Sequence, residues 1–215
     1  MSAGSLNIVT DGLVFEVDAA NKLGGVKDLT DPTISGNLIN GTTITNGLFV
    51  FDGVDDYIDF GDITKLDLTT FTISAWFKGL GGSLIDKRIL SSSDSANVNF
   101  SVSSSAVALN PFYANSGLRE AFFTGLDLSS AFNSLNFTYD GVDLKLYFNG
   151  TLLDTTASTL NPSISGVQDL YLGRSGRAGG DRYLDGEISN VKIYNRALTQ
   201  AEIKQNYEAT KHKFE

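Results

Sequence analysis

Leu135-Asn-Phe-Thr-Tyr-Asp-Gly-Val-Asp-Leu-Lys-Leu-Tyr-Phe-Asn-Gly150 decides the architecture. Leu135, Phe137 and Tyr139 alternate with polar residues up to Asp140-Gly141, and Leu144, Leu146 and Phe148 alternate down to Asn149-Gly150. A period of two marks a half-buried strand. Asp-Gly and Asn-Gly are the favoured two-residue hairpin turns, because a type I′ turn needs positive φ at both central positions. Two such turns, with Leu152-Leu153 following the second, predict an antiparallel meander.

The same period extends outward in both directions. Residues 70–78 alternate so that Phe71, Ile73, Ala75 and Phe77 share one face and Trp76 takes the other, which is then either a ligand face or a covered one. Leu13–Asp18 reads as a strand with Leu13, Phe15 and Val17 opposite Val14, Glu16 and Asp18. Short strands are expected at 48–51 and 57–60 around an acidic turn, and further ones at 84–90, 98–102, 106–109 and 120–124. Residues 22–47 read as loop, punctuated by Asp31-Pro32, Gly36-Asn37 and Asn40-Gly41. Tyr171-Leu-Gly173 ends another strand. Across 184–194, Leu184, Gly186 and Ile188 share a parity that Val191 and Ile193 do not; one extra residue near Ser189-Asn190, a β-bulge, would return both sets to the core.

One helix is expected. Thr199 and Glu202 have capping-box spacing, Leu198 and Ile203 hold the hydrophobic-staple positions, and Ile203 with Tyr207 makes a narrow apolar stripe. The whole is expected to be a single β-rich domain over 1–215, with its core at about 8–207 and one short C-terminal helix.

Composition narrows the chemistry. The 215 residues carry 25 acids against 16 bases, for a net charge of −9. That balance argues against nucleic acid and against an anionic membrane surface, both of which reward clustered cations. There is no Cys, so a thiolate nucleophile and Cys-ligated zinc are excluded. The one His, His212, lies in the run Lys211-His212-Lys213 near the C-terminus, a poor place for a Ser–His–Asp triad. No stretch approaches the roughly 20 apolar residues of a membrane span. Met1 opens a segment with neither a cationic nor an apolar region, so no secretory signal is expected.

The order of these features resembles the laminin G-like jelly roll of the concanavalin A-like lectin/glucanase superfamily. The resemblance rests on Phe51-Asp-Gly-Val-Asp-Asp-Tyr-Ile-Asp-Phe-Gly61, Phe71-Thr-Ile-Ser-Ala-Trp-Phe77, Tyr139-Asp-Gly141, Leu144 to Gly150, Leu170-Tyr-Leu-Gly-Arg174, and Leu184 to Leu198 running into Glu202-Ile203. It implies an all-β fold, a two-sheet antiparallel jelly-roll sandwich with one short C-terminal helix, and the binding of glycans or proteins, sometimes with calcium. The opening from Val9 to Asn21 resembles modules of bacteriophage virion proteins and bacterial surface proteins. A short chain consisting of one such module resembles a phage particle component, either head decoration or tail. The expected partners are then other virion proteins or copies of the chain itself, and cell-surface glycan. The alternatives are a free carbohydrate-binding module of a bacterial surface or secreted protein, and a glucanase.

Four groups of residues carry candidate chemistry. Glu16-Val-Asp18-Ala-Ala-Asn21 nearly reads as the Glu-x-Asp-x-x-Glu motif of the superfamily's glucanases. Asn21, however, stands where the second catalytic carboxylate must be, and retaining hydrolysis needs two. No catalytic residue is therefore assigned. Asp52, Asp55, Asp56, Asp59 and Asp62 place five carboxylates within eleven residues, which suits calcium's taste for oxygen ligands. Asp52 and Asp55 are the candidate metal ligands, with Asp181 and Asp185 as distant partners. Arg174, Arg177, Arg182 and Tyr183 gather three of the six arginines in nine residues, groups able to grip sugar hydroxyls, carboxylated sugars or an acidic partner. Tyr113 and Asn115, on an expected loop, complete the candidate ligand-binding set.

Overall fold

The computed structural model describes residues 7–79, 87–92, 99–102, 106–109, 121–124, 128–157, 169–175 and 182–215. Its strands, in chain order, are β1 (Leu13–Asp18), β2 (Val26–Lys27), β3 (Ser35–Ile39), β4 (Thr43–Thr45), β5 (Leu48–Asp52), β6 (Tyr57–Asp62), β7 (Phe71–Gly79) and β8 (Lys87–Ser92). They continue with β9 (Asn99–Val102), β10 (Ala106–Leu109), β11 (Ala121–Thr124), β12 (Asn133–Tyr139), β13 (Asp143–Phe148), β14 (Thr151–Ala157), β15 (Asp169–Leu172) and β16 (Asp185–Tyr194). Helix α1 (Gln200–Thr210) follows, and a 3₁₀ turn at Lys211–Lys213 carries the chain to its end.

Every strand pairing among the described residues is antiparallel. An eight-stranded sheet runs β14-β13-β12-β7-β16-β5-β4 with β1 also on β16, a six-stranded sheet runs β2-β3-β6-β15-β8-β9, and β10 pairs with β11. The two large sheets form a jelly-roll sandwich. Alternation sends Phe71, Ile73, Ala75 and Phe77 of β7 and Leu135, Phe137 and Tyr139 of β12 inward, where they join Ile58 and Phe60 of β6 and Leu170 and Leu172 of β15 in one core. Phe15 of β1 meets Phe60 edge-on, their centroids 5.3 Å apart.

The bulge in β16 is present, with the register against β7 shifting between Ile188 and Asn190. It also divides labour along the strand's other edge. Residues 185–188 pair with β5, and residues 190–194 pair with β1. Ile188, Val191 and Ile193 consequently all lie in the inter-sheet core.

The meander is as expected, but only one of its turns has the expected form. Asn149 and Gly150 have φ of 49° and 75° between the paired residues Phe148 and Thr151, as a type I′ turn requires. The first turn is longer. Tyr139 pairs with Leu144, leaving four residues in the loop, of which only Gly141 has positive φ. The reason lies in Asp140: its Oδ1 accepts from the amides of Val142 (3.0 Å) and Asp143 (2.8 Å), so the side chain closes the loop and the two-residue turn is not needed.

Two further expectations are corrected, and the face that Trp76 occupies is decided. Residues 22–47 contain β2, β3 and β4, short strands at the margins of the two sheets, and the largely exposed residues of β3 and β4 hide the alternation. Leu13 leaves the core face because the β1 register shifts between Leu13 and Phe15; it packs instead with Tyr194, Leu198 and Ile203 beneath α1. Trp76 is 4% exposed, covered by the C-terminal segment: its ring stacks on Tyr207 and on Phe214, and its Nε1 donates to Thr210 Oγ1 at 2.9 Å. The helix begins with the expected capping box at Thr199 and Glu202.

Candidate functional site

Because α1 and the tail lie on the outer face of the eight-stranded sheet, the outer face of the six-stranded sheet is where ligand-type side chains gather. Parity places them. Ile58 and Phe60 of β6 and Leu170 and Leu172 of β15 point into the core, so Tyr57, Asp59, Asp169 and Tyr171 point out and are half-buried. Tyr171 is paired with Asp59 across the two strands. The Tyr57 and Tyr171 rings meet edge-on at 5.9 Å, and Tyr183 lies 6.3 Å from Tyr57. Arg174 covers the group, its guanidinium 4.5 Å from the centroid of Tyr57 and 4.7 Å from that of Tyr171.

The backbone under Arg174 is held from two sides. Ser91 Oγ of β8 donates to the Arg174 carbonyl at 2.7 Å. One residue earlier, the Gly173 amide donates to Ile89 O (3.1 Å) and the Gly173 carbonyl accepts from Leu184 N (2.7 Å). Gly173 is required here, since its φ is +85° and a Cβ would lie 2.6 Å from the Phe51 ring. Arg174 Nε donates to Ser175 O at 2.9 Å, which orients the guanidinium plane over the rings. Burial, with the Asp169 carboxylate accepting from the Tyr171 hydroxyl at 3.0 Å, pushes that phenol up to about 12, so it remains a neutral donor.

The acidic turn between β5 and β6 adjoins this platform through Tyr57. Asp52, Asp55 and Asp56 each bring a carboxylate oxygen within 4.8 Å of the others. Asp52 Oδ1 accepts from Val54 N (2.8 Å), while the Asp55 carbonyl accepts from Asn40 Nδ2 (2.7 Å). Asp56 is buried; its Oδ2 accepts from Asp52 N at 3.1 Å and its Oδ1 faces the Gly41 backbone without a well-formed hydrogen bond. Burial raises its pKa above the ordinary carboxylate value. Three converging carboxylates, one of them poorly satisfied, fit a hard divalent cation such as calcium. Asp185 pairs in register with Asp52 and packs on Gly53, next to the turn but outside the converging trio.

The candidate residues thus divide. Arg174 and Tyr183 come together, and Arg182 is their half-buried neighbour in sequence. Tyr57 and Tyr171, which complete the platform, are not among the candidates from sequence, although their parity opposite to Ile58 and Leu170 carries the signal. Tyr113, Asn115, Arg177 and Asp181 lie outside the described residues. The glucanase-like motif is occupied structurally. Glu16 pairs with Lys192 at 3.0 Å, Asp18 Oδ1 accepts from Ala20 N at 2.8 Å, and Asn21 Nδ2 donates to the carbonyls of Asp18 and Gly25.

Comparison with known proteins agrees with this architecture. The family model described as the concanavalin A-like lectin/glucanases superfamily matches residues 52–204, and the chain belongs to that superfamily. No curated protein sequence matches it. Among solved structures, the binding domain of Paraclostridial Mosquitocidal Protein 1 superposes with a TM-score of 0.73 at 16% identity, over 91% of this chain and 52% of that one. Domain 4 of AbnA, a GH43 extracellular arabinanase from Geobacillus stearothermophilus, seen in complex with arabinotriose, gives 0.61 at 17% over 91% and 98%. Trypanosoma rangeli sialidase in complex with sialic acid gives 0.69 at 16% over 95% and 34%. This chain therefore spans about half of the toxin domain, a third of the sialidase and nearly all of the arabinanase domain. At these identities the likeness is one of fold. No helix among the described residues is long and apolar enough to cross a membrane.

Proposed function

We propose that this chain is a non-enzymatic glycan-binding jelly roll, displayed on a bacteriophage virion as head decoration or tail component, that takes sugar on the outer face of its six-stranded sheet. The observation that carries the reading is Arg174 held over Tyr57 and Tyr171 with Tyr183 alongside. A guanidinium held flat by the rings beneath it, with phenol hydroxyls and the Tyr183 ring beside it, supplies fixed polar groups and adjoining aromatic surface for a sugar, which make up a binding site rather than a reaction centre. Calcium at Asp52, Asp55 and Asp56 would stiffen the turn that leads into Tyr57, and those carboxylates are the groups that would hold it. The engagement of Glu16 and Asp18 in turn and ion-pair contacts supports the non-enzymatic part.

The structurally similar arabinanase domain seen with arabinotriose and the sialidase seen with sialic acid support a sugar ligand, and the sequence of Val9 to Asn21 supports the virion setting. Weak binding at each site is compatible with function there, because many copies on one particle act with avidity. The test has two arms. A glycan array with and without calcium, repeated on Arg174→Ala, should give binding that the variant loses. Purification from the source particle should recover the chain in stoichiometric amounts with capsid or tail protein. Binding unchanged in the variant would refute the site, and recovery as a free monomer would favour a free carbohydrate-binding module of a bacterial surface protein.

A further inference from the structure

A second ligand-type feature lies on the opposite side of the sandwich, where the chain ends. Four aromatic rings stack there in succession. Tyr207 lies on Trp76 (5.7 Å between centroids, 12° between planes), Trp76 on Phe214 (4.4 Å, 27°), and Phe214 on Phe132 (4.7 Å, 26°). The last two rings of the series wall an open cleft of about 430 Å³. That is within the roughly 300–1,000 Å³ of small-molecule sites.

The facing wall is the turn between β4 and β5. Asn46 and Gly47 have φ of 53° and 74° between the paired residues Thr45 and Leu48, a rigid type I′ turn. It rests on Ala20, whose Cβ would be 3.0 Å from a Cβ on Gly47. Polar groups border the opening: the Asn46 side chain, Ser189 at the β16 bulge, Lys213 and Glu215. Lys213 is steadied by Asp18, 3.6 Å from its ammonium. Walls already held by other contacts reduce the ordering cost of binding.

We propose that this cleft is a second binding site and that it takes a neutral saccharide unit. A sugar ring has an apolar C–H face and a rim of hydroxyls that both donate and accept. Phe132, the last ring of the stack, offers a face for the first, with the edge of Phe214 beside it. The second is met by an ammonium with three donors, an amide that does both, and a carboxylate that accepts. Both signs of charge sit at the rim, so an anionic ligand would meet Glu215 and Asp18 and a cationic one would meet Lys213. A flat heteroaromatic ring would extend the stack but leave the rim groups unused. The site shares no residue with the Arg174 platform and stands or falls independently of it.

Trp76 is the only tryptophan in the chain and touches the Phe214 wall, so its fluorescence reports on the cleft. The intact chain would be titrated with maltotriose and cellotriose, and with N-acetylneuraminic acid and adenosine as charged and planar controls. Amide shifts would be recorded in parallel. The expected result is a saturable change in Trp76 emission with at least one trisaccharide, accompanied by shifts at residues 46–48 and 213–215. In the double variant Asn46→Gly, Lys213→Ala, which keeps the positive φ of the turn, the affinity should fall about tenfold, or 1.4 kcal/mol, with the melting temperature unchanged. Arg174→Ala should leave the affinity as it is. No saturable response at tens of millimolar sugar, a response to adenosine alone, or an affinity that the double variant retains would overturn the proposal.

Discussion

The guanidinium of Arg174 lies 4.5 Å over the ring centroid of Tyr57, although 117 positions separate the two residues in the chain. The pair is half-buried, so its cation–π attraction is worth roughly 0.5–1 kcal/mol to the fold. Arg174→Ala is therefore expected to cost about that much in urea unfolding, while glycan affinity on the platform falls by about tenfold or more, since the polar half of the site is removed. Arg174→Lys keeps the charge but loses the planar stack, and should fall between the two. Parallel unfolding curves and glycan titrations on the three proteins check the order.

Gly173 sets where that arginine sits. An alanine there would need a left-handed backbone and would press its Cβ into the Phe51 ring. Gly173→Ala is expected to destabilise the fold by about 2–4 kcal/mol, the sum of backbone strain and overpacking. Calorimetry would show a clear drop in melting temperature, and platform binding should weaken in the fraction that folds.

The cap of α1 gives a pH signature. The Arg196 guanidinium reaches Glu202 at 2.7 and 3.0 Å, and with the Thr199 backbone and hydroxyl donors it holds the Glu202 carboxyl at about 2 against an ordinary 4.5. The folded value lies below the unfolded one, so this contribution is fully present above pH 4.5 and is lost as pH falls through about 2. Partial exposure of both side chains keeps it modest. In Glu202→Gln the decline in stability across that acid window should be shallower than in the parent, as read from chemical unfolding at stepped pH.

The acidic turn has the opposite sign. Burial raises Asp56, so the stability linked to its proton is present below 3.8 and is lost as pH rises through the folded value. A cation bound by Asp52, Asp55 and Asp56 would offset that loss at neutral pH. Calcium at a hundred times its dissociation constant should add about 2.7 kcal/mol, seen as a higher melting temperature that chelator reverses. The double variant Asp52→Asn, Asp55→Asn should show no calcium response. A melting temperature that calcium leaves unmoved in the parent would assign the trio to turn geometry alone.

Much of the fold is legible in local patterns, for identifiable reasons. The alternation in β7, β12 and β13 reports burial directly, because a strand with one face in a core must repeat every second residue. The parity break at Ser189 can only be a bulge if Ile188 and Val191 are both to be buried. Thr199 with Glu202 announces a helix start by spacing alone. Where the side chains do not bury, as in β3 and β4, the pattern carries no signal, and the strands exist because β6 and β5 offer them backbone partners. Asp140 misleads for a related reason, since Asp-Gly favours a two-residue turn but its carboxylate can also close a longer one.

The sequence by itself determined the alternating strands of the meander, the bulge, the Asn149-Gly150 turn and the helix cap, all of which rest on residues within a few positions of one another. Tertiary structure alone decided that Trp76 is roofed by α1 and the tail, that Leu13 leaves the core, and that Tyr57, Tyr171, Arg174 and Tyr183 form one surface. Each of these joins distant segments through sheet pairing, and the order of strands in a sheet is set by how all the core faces pack at once. Local spacing says which way a side chain points; only the packed sheets determine what it meets.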